Sequence, residues 1–238
     1  ERLYTVNKGD IRFNIELLKL YLHFQKYSEA KDVLENLRKI PDAGFLHLEY
    51  YEGIIAYNEG EVDKALQCFL NVEKEGHKSQ GIHNQIGMIY IQLNWFEEAI
   101  SEFEKELAMD KDSFQAYYGL GVSYLYLELL EDAADNLLTS IGLIYNFPPS
   151  HYYLGITLFK LEKYTEARNA FEVFSKMSPE NYRARKWLTM LYRDHLSDDS
   201  KYLQNYNLCK QMMKGQVIIV SGLPRSGTSM MMQILEAG

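Results

Sequence analysis

Glycine returns at Gly53, Gly87, Gly121 and Gly155, each 34 residues after the last. Twelve residues after each stands an alanine (Ala65, Ala99, Ala133, Ala167), and four residues further on a large apolar side chain (Phe69, Phe103, Leu137, Phe171). A fixed period of this length makes each unit one supersecondary element, which buries its apolar face only against its neighbours. The small residues have a physical reason. Where two helices cross closely, Gly and Ala let the backbones approach, and a larger residue in a packed core costs about 1–3 kcal/mol. The bulky residue then fills the space beside the crossing.

Within the units the apolar residues keep a helical period. Leu17, Leu18, Tyr21 and Leu22 share one helix face. Ala30, Val33, Leu34 and Leu37 belong to a second helix, which Ser28 is expected to cap. Polar turns at Asn58-Glu59-Gly60, Leu93-Asn94 and Glu162-Lys163 separate the two helices of a unit. Pro41-Asp42-Ala43-Gly44, Phe147-Pro148-Pro149-Ser150 and Ser178-Pro179-Glu180-Asn181 separate one unit from the next. The expected fold class is all-α, an α-solenoid of antiparallel helix pairs. Five units are expected over 11–45, 46–79, 80–113, 114–147 and 148–181, after residues 1–10, a polar tail or the end of a preceding repeat. The unit at 11–45 carries one extra residue and has Leu18 in place of the glycine. Residues 182–215 are expected to cap the stack. Their first helix carries Trp187, Leu188, Leu191 and Tyr192; Ser197-Asp198-Asp199-Ser200 then starts a helix through Leu203, Tyr206, Leu208 and Met212.

The pattern resembles the tetratricopeptide repeat. The copy from Pro148 has Leu154-Gly155, Ala167, Phe171 and Pro179 at the family's positions; that from Phe114 has Tyr117, Leu120-Gly121, Tyr124, Ala133 and Leu137. The copy from Gln80 keeps Gly87, Tyr90, Ala99 and Phe103, and the copy from Leu46 keeps Gly53, Ala65 and Phe69. The resemblance implies a right-handed superhelix whose concave groove, made of each unit's first helix, takes a peptide or protein segment. Carried over by position, the groove would present Tyr50, Asn84, Tyr118 and Tyr152, then Tyr57, Ile91, Leu125 and Phe159, then Asn58, Gln92, Tyr126 and Lys160. This surface is aromatic and amide-rich. It lacks the Lys/Asn set by which chaperone-binding members clamp a C-terminal carboxylate.

The character changes after Gly215. Gln216-Val217-Ile218-Ile219-Val220 has the composition of a buried strand. A glycine-bearing loop from Ser221 to Ser229 follows, then an apolar helical run through Met230, Met231, Met232, Ile234 and Leu235. Strand, loop and helix make an anion cradle, because glycines let backbone N–H groups point inward at a helix N-terminus. Gly222 and Gly227 have Walker A spacing, but Thr228 stands where that motif needs lysine. Pro224-Arg225-Ser226-Gly227-Thr228-Ser229 instead resembles the 5′-phosphosulfate loop of sulfotransferases. That resemblance implies 3′-phosphoadenosine 5′-phosphosulfate as the cofactor of the parent protein. Arg225 would contact the bridging and sulfuryl oxygens, and Gly222, Pro224, Ser226, Gly227, Thr228 and Ser229 would form the rest of the cofactor loop. The domain over 216–238 is expected to be truncated, so this chain alone is expected to be inactive and to hold no cofactor.

Net charge bounds the partners. Residues 182–238 carry a net +4, whereas the preceding residues carry a net −12. An acidic stack is a poor match for a phosphate backbone, which argues against nucleic acid. No apolar run approaches the roughly 18–20 residues of a membrane span. Cys68 and Cys209 form no disulfide framework, and a reducing, cytoplasmic location is expected. The six histidines show no metal-ligand spacing, and no metal is expected. Three functions fit: an interaction module fused to a sulfotransferase, a stand-alone scaffold or adaptor, and the N-terminal part of a P-loop kinase or NTPase, which Thr228 disfavours.

Overall fold

The computed structural model describes residues 9–40, 47–74 and 81–212. The chain divides into two compact units, Glu1–Pro179 and Glu180–Gly238. All secondary structure among the described residues is helical.

In the first unit, the helices come in pairs: α1 (Ile11–His23) with α2 (Tyr27–Arg38), α3 (Leu48–Asn58) with α4 (Val62–Lys74), and α5 (Ile82–Gln92) with α6 (Phe96–Met109). Then follow α7 (Phe114–Tyr126) with α8 (Leu130–Leu143) and α9 (Pro148–Lys160) with α10 (Tyr164–Met177). Each second helix also packs on the first helix of the next pair, and α7 touches both α5 and α9. First helices therefore lie side by side as one layer of a solenoid.

The periodic residues make the same contact in each unit. Ala30, Ala65, Ala99, Ala133 and Ala167 are all fully buried, as are Phe69, Phe103, Leu137 and Phe171. A Cβ on Gly53 would lie 2.8 Å from the Phe69 ring, one on Gly87 2.7 Å from Phe103, and one on Gly155 2.7 Å from Phe171. Each glycine thus clears the ring sixteen residues later in its own unit. Gly119 meets Phe103 from the neighbouring unit, with a Cβ distance of 2.1 Å, so that ring sits between two bare backbones. In the first pair Leu18 stands at the glycine position and Leu34 at the bulky one, both buried in the same apolar cluster.

The turn inside each pair has one geometry. Gln25, Gly60, Asn94, Glu128 and Glu162 all have left-handed backbone, with φ between 57° and 83°. The next residue's N–H returns to a carbonyl five residues back: Lys26 to Tyr21, Glu61 to Ala56, Trp95 to Tyr90, Leu129 to Tyr124 and Lys163 to Leu158. This is a Schellman closure, which satisfies the orphan carbonyls of the first helix. It also corrects the expected Ser28 cap. α2 begins at Tyr27 with Lys26 at the N-cap and no side-chain cap bond, because the turn already sets the start of the second helix. Pro148 and Pro149 open α9 at its first positions, where a missing N–H costs nothing.

The second unit holds α11 (Arg183–Met190), a π-helical turn (Leu191–His195) and α12 (Asp199–Met212). Trp187, Leu188, Leu191 and Tyr192 are buried as expected. Asp198 caps α12, its carboxylate accepting from Lys201 N–H at 3.0 Å. Within α12, Asn205 and Cys209 face inward, while Leu203 and Tyr206 are exposed. The tail over 1–8, the turn Pro41-Asp42-Ala43-Gly44, and the expected strand and phosphate loop over 216–238 lie outside the described residues.

Candidate functional site

The layer of first helices carries the residues expected to meet a partner. They fall into two groups by burial. Tyr50, Tyr57, Tyr118 and Tyr152 are half-buried, whereas Asn58, Gln92, Tyr126 and Lys160 are exposed. The half-buried rings pack on the repeat's own aromatics. Tyr50 meets Phe69 edge-on at 5.8 Å, Tyr152 meets Phe171 at 6.0 Å, and Tyr118 meets Phe147 at 5.2 Å. Burial pushes the Tyr50, Tyr57 and Tyr118 hydroxyls above their ordinary range, Tyr118 furthest. Asn84 is buried, and its Nδ2 donates to Ser113 Oγ at 3.1 Å. Ser113 Oγ in turn accepts from Ala116 N–H at the start of α7, so Asn84 ties two successive first helices together.

The exposed group sits at the C-terminal ends of the first helices. Asn58 Nδ2 donates to Ile54 O at 2.8 Å. Tyr126 stacks on Phe96 with centroids 4.8 Å apart and planes within 6°. Lys160 Nζ lies 2.5 Å from Glu128 Oε1 at the preceding unit's turn. That pair is exposed and contributes little to stability. Of the residues expected to hold a phosphosulfate, Gly222, Pro224, Arg225, Ser226, Gly227, Thr228 and Ser229, all lie outside the described residues.

Sequence reasoning missed a polar cluster between α4, α5 and α6. His83 Nδ1 is 2.8 Å from Glu102 Oε2 and 3.9 Å from Glu73 Oε1. Lys105 Nζ lies 2.6 Å from Glu102 Oε1 and 3.5 Å from Glu73 Oε1. One helical turn on, the buried Glu106 accepts from Gly81 N–H at 3.0 Å. That places a carboxylate at the start of α5, where Gly81 has no side chain to cap it. The sequence signal was a departure from the repeat. Where Glu102 stands, the three other glycine-bearing units have Cys68, Asn136 and Ala170; where Glu106 stands, they have Val72, Ser140 and Phe174.

Comparison with known proteins agrees with this architecture. Tetratricopeptide-repeat models match residues 81–113 and 152–195, so the chain carries tetratricopeptide repeats. The BBSome complex member BBS4 homolog of Drosophila melanogaster is 26% identical over 168 residues, covering 69% of this chain and 34% of that protein. The peroxisomal targeting signal receptor of Candida glabrata is 28% identical over 91 residues, covering 38% of this chain and 15% of the receptor. The chain thus spans about a third or less of these curated relatives. Among solved structures, a MamA crystal structure superposes with a TM-score of 0.60 at 21% identity, over 68% of this chain and 94% of MamA. A thermophilic TPR protein of Thermus thermophilus gives 0.58 at 17% identity, over 71% of this chain and 91% of that one. At such identities the likeness is one of fold. No helix among the described residues is long and apolar enough to cross a membrane.

Proposed function

We propose that this chain is a protein-interaction module that holds an extended peptide or protein segment along its layer of first helices. Asn58, Gln92, Tyr126 and Lys160 make the outer contacts, and Tyr50, Tyr57, Asn84, Tyr118 and Tyr152 form the floor. One observation carries the reading: an exposed polar or aromatic residue recurs at the same place on each of four successive first helices, so an extended segment can meet each in turn. A receptor for a targeting signal and a member of a multiprotein complex among the relatives support it. The test is a peptide selected from a random library against the whole chain. Tyr126→Ala should weaken it by about tenfold or more, as loss of an aromatic contact does, while the chain stays folded with a melting temperature lowered only slightly by loss of the stack on Phe96. Tyr126→Ala with Gln92→Ala leaving affinity untouched contradicts the reading.

We further propose that residues 216–238 open a sulfotransferase domain, so that the repeats recruit or orient an acceptor for it. The support is the run Pro224-Arg225-Ser226-Gly227-Thr228-Ser229 after an apolar stretch. The fixed charge of Arg225 suits the negative charge that grows on a leaving phosphate. In the natural polypeptide, Arg225→Ala should abolish sulfate transfer from 3′-phosphoadenosine 5′-phosphosulfate. Tight ATP binding without any affinity for that donor favours the kinase or NTPase alternative, and neither activity favours the scaffold.

A further inference from the structure

We propose that Glu73, His83 and Glu102 form a binding site for a divalent transition-metal ion, in which Lys105 is the resident competitor. The three ligand atoms, one from each side chain, lie within 4.8 Å of one another. The donors come from three helices, with Glu73 on α4, His83 on α5 and Glu102 on α6. The His83 and Glu102 side chains are only 12% and 9% exposed, and Glu73, at 33%, stands at the mouth. The site already collects a cation. The Lys105 ammonium sits where the two carboxylates converge, on a side chain 47% exposed and therefore able to swing out.

The fold does not require this set, because the other units are built without it. One imidazole nitrogen with two carboxylate oxygens is a zinc-type donor set, and a water would complete the four ligands. For the metal to enter, Nδ1 must carry no proton, so the neutral His83 ring takes the tautomer protonated on Nε2. A doubly charged ion then balances both carboxylates, which Lys105 alone cannot do. The donor atoms are now held together partly by that ammonium, so the ion replaces one counter-charge by a stronger one.

The probe is zinc ion, titrated by calorimetry into the 238-residue chain, with thermal unfolding in parallel. One equivalent should bind and raise the melting temperature, and a chelator should reverse the rise. His83→Gln should weaken binding by at least about tenfold, since even outer-shell losses cost that much. Glu73→Gln, at the exposed edge, should act likewise without touching the core. Lys105→Met should tighten binding by about tenfold, because it removes the competitor and leaves the donors. X-ray absorption should show one imidazole with oxygen ligands. The proposal is overturned by any of three results: no zinc-dependent rise at about 100 μM, no tightening in Lys105→Met, or sulfur in the coordination shell.

Discussion

Two glycines separate packing from conformational freedom. A Cβ on Gly121 would lie 2.5 Å from Leu137 Cγ and 3.1 Å from the Ala133 carbonyl oxygen, and the carbonyl cannot yield. Gly121→Leu should therefore destabilise by about 3 kcal/mol in chemical denaturation; a loss near zero would remove Gly121 from the crossing. Gly142, near the end of α8, has nothing within 4 Å of its would-be Cβ. There Gly→Ala should stabilise by about 0.5–1 kcal/mol. Glu106 gives a pH-dependent case. Burial holds its carboxyl above the ordinary value, while the Gly81 and Asn84 amides pull the other way. The folded protein therefore binds that proton more tightly than the unfolded chain. The resulting stability is complete below the unfolded value and is lost as pH rises through the folded one. Glu106→Gln keeps an acceptor for the Gly81 N–H. Its stability relative to the parent should be greatest near pH 7 and fall toward about pH 4; a difference constant with pH would contradict this.

At the scale of the element, the turn and the crossing are what the repeat specifies. Asn94, Glu128 and Glu162 adopt left-handed backbone without being glycine, at a cost of about 1 kcal/mol each. Glu162→Gly should recover up to about 1 kcal/mol, and Gly60→Ala should lose a similar amount, both measurable as shifts in denaturation midpoint. Helix pairs, their order and the glycine–ring contacts were legible in the sequence because the chain writes the same contact four times. The turn was legible as a break, but its closure was not: Gln25, Asn94 and Glu162 carry no glycine to announce it. Ser28 misled for that reason. The buried face of α12, at Asn205 and Cys209, was not legible, because α12 has no repeating partner from which its rotation could be read. His83, Glu73 and Glu102 were invisible as a group because only the stacking of three helices brings them together.

Across the whole molecule, stability in a repeat array is a sum of units and their neighbouring interfaces, while function belongs to the surface the units share. Position alone marked Tyr50, Tyr118 and Tyr152 for a partner; their packing on Phe69, Phe147 and Phe171 makes them, in the proposed reading, supports of that surface, with the exposed Tyr126 and Gln92 outermost. With Lys160 paired to Glu128, charge plays a small part, so affinity should depend only weakly on salt; a steep fall with ionic strength would place the contacts on the acidic flanks instead. The most direct test is amide hydrogen exchange on the chain with and without a selected peptide. The account predicts added protection on the first helices, 48–58, 82–92, 114–126 and 148–160, lost together with binding in Tyr126→Ala. Protection confined to the second helices, 62–74, 96–109, 130–143 and 164–177, and unaffected by Tyr126→Ala, would contradict it.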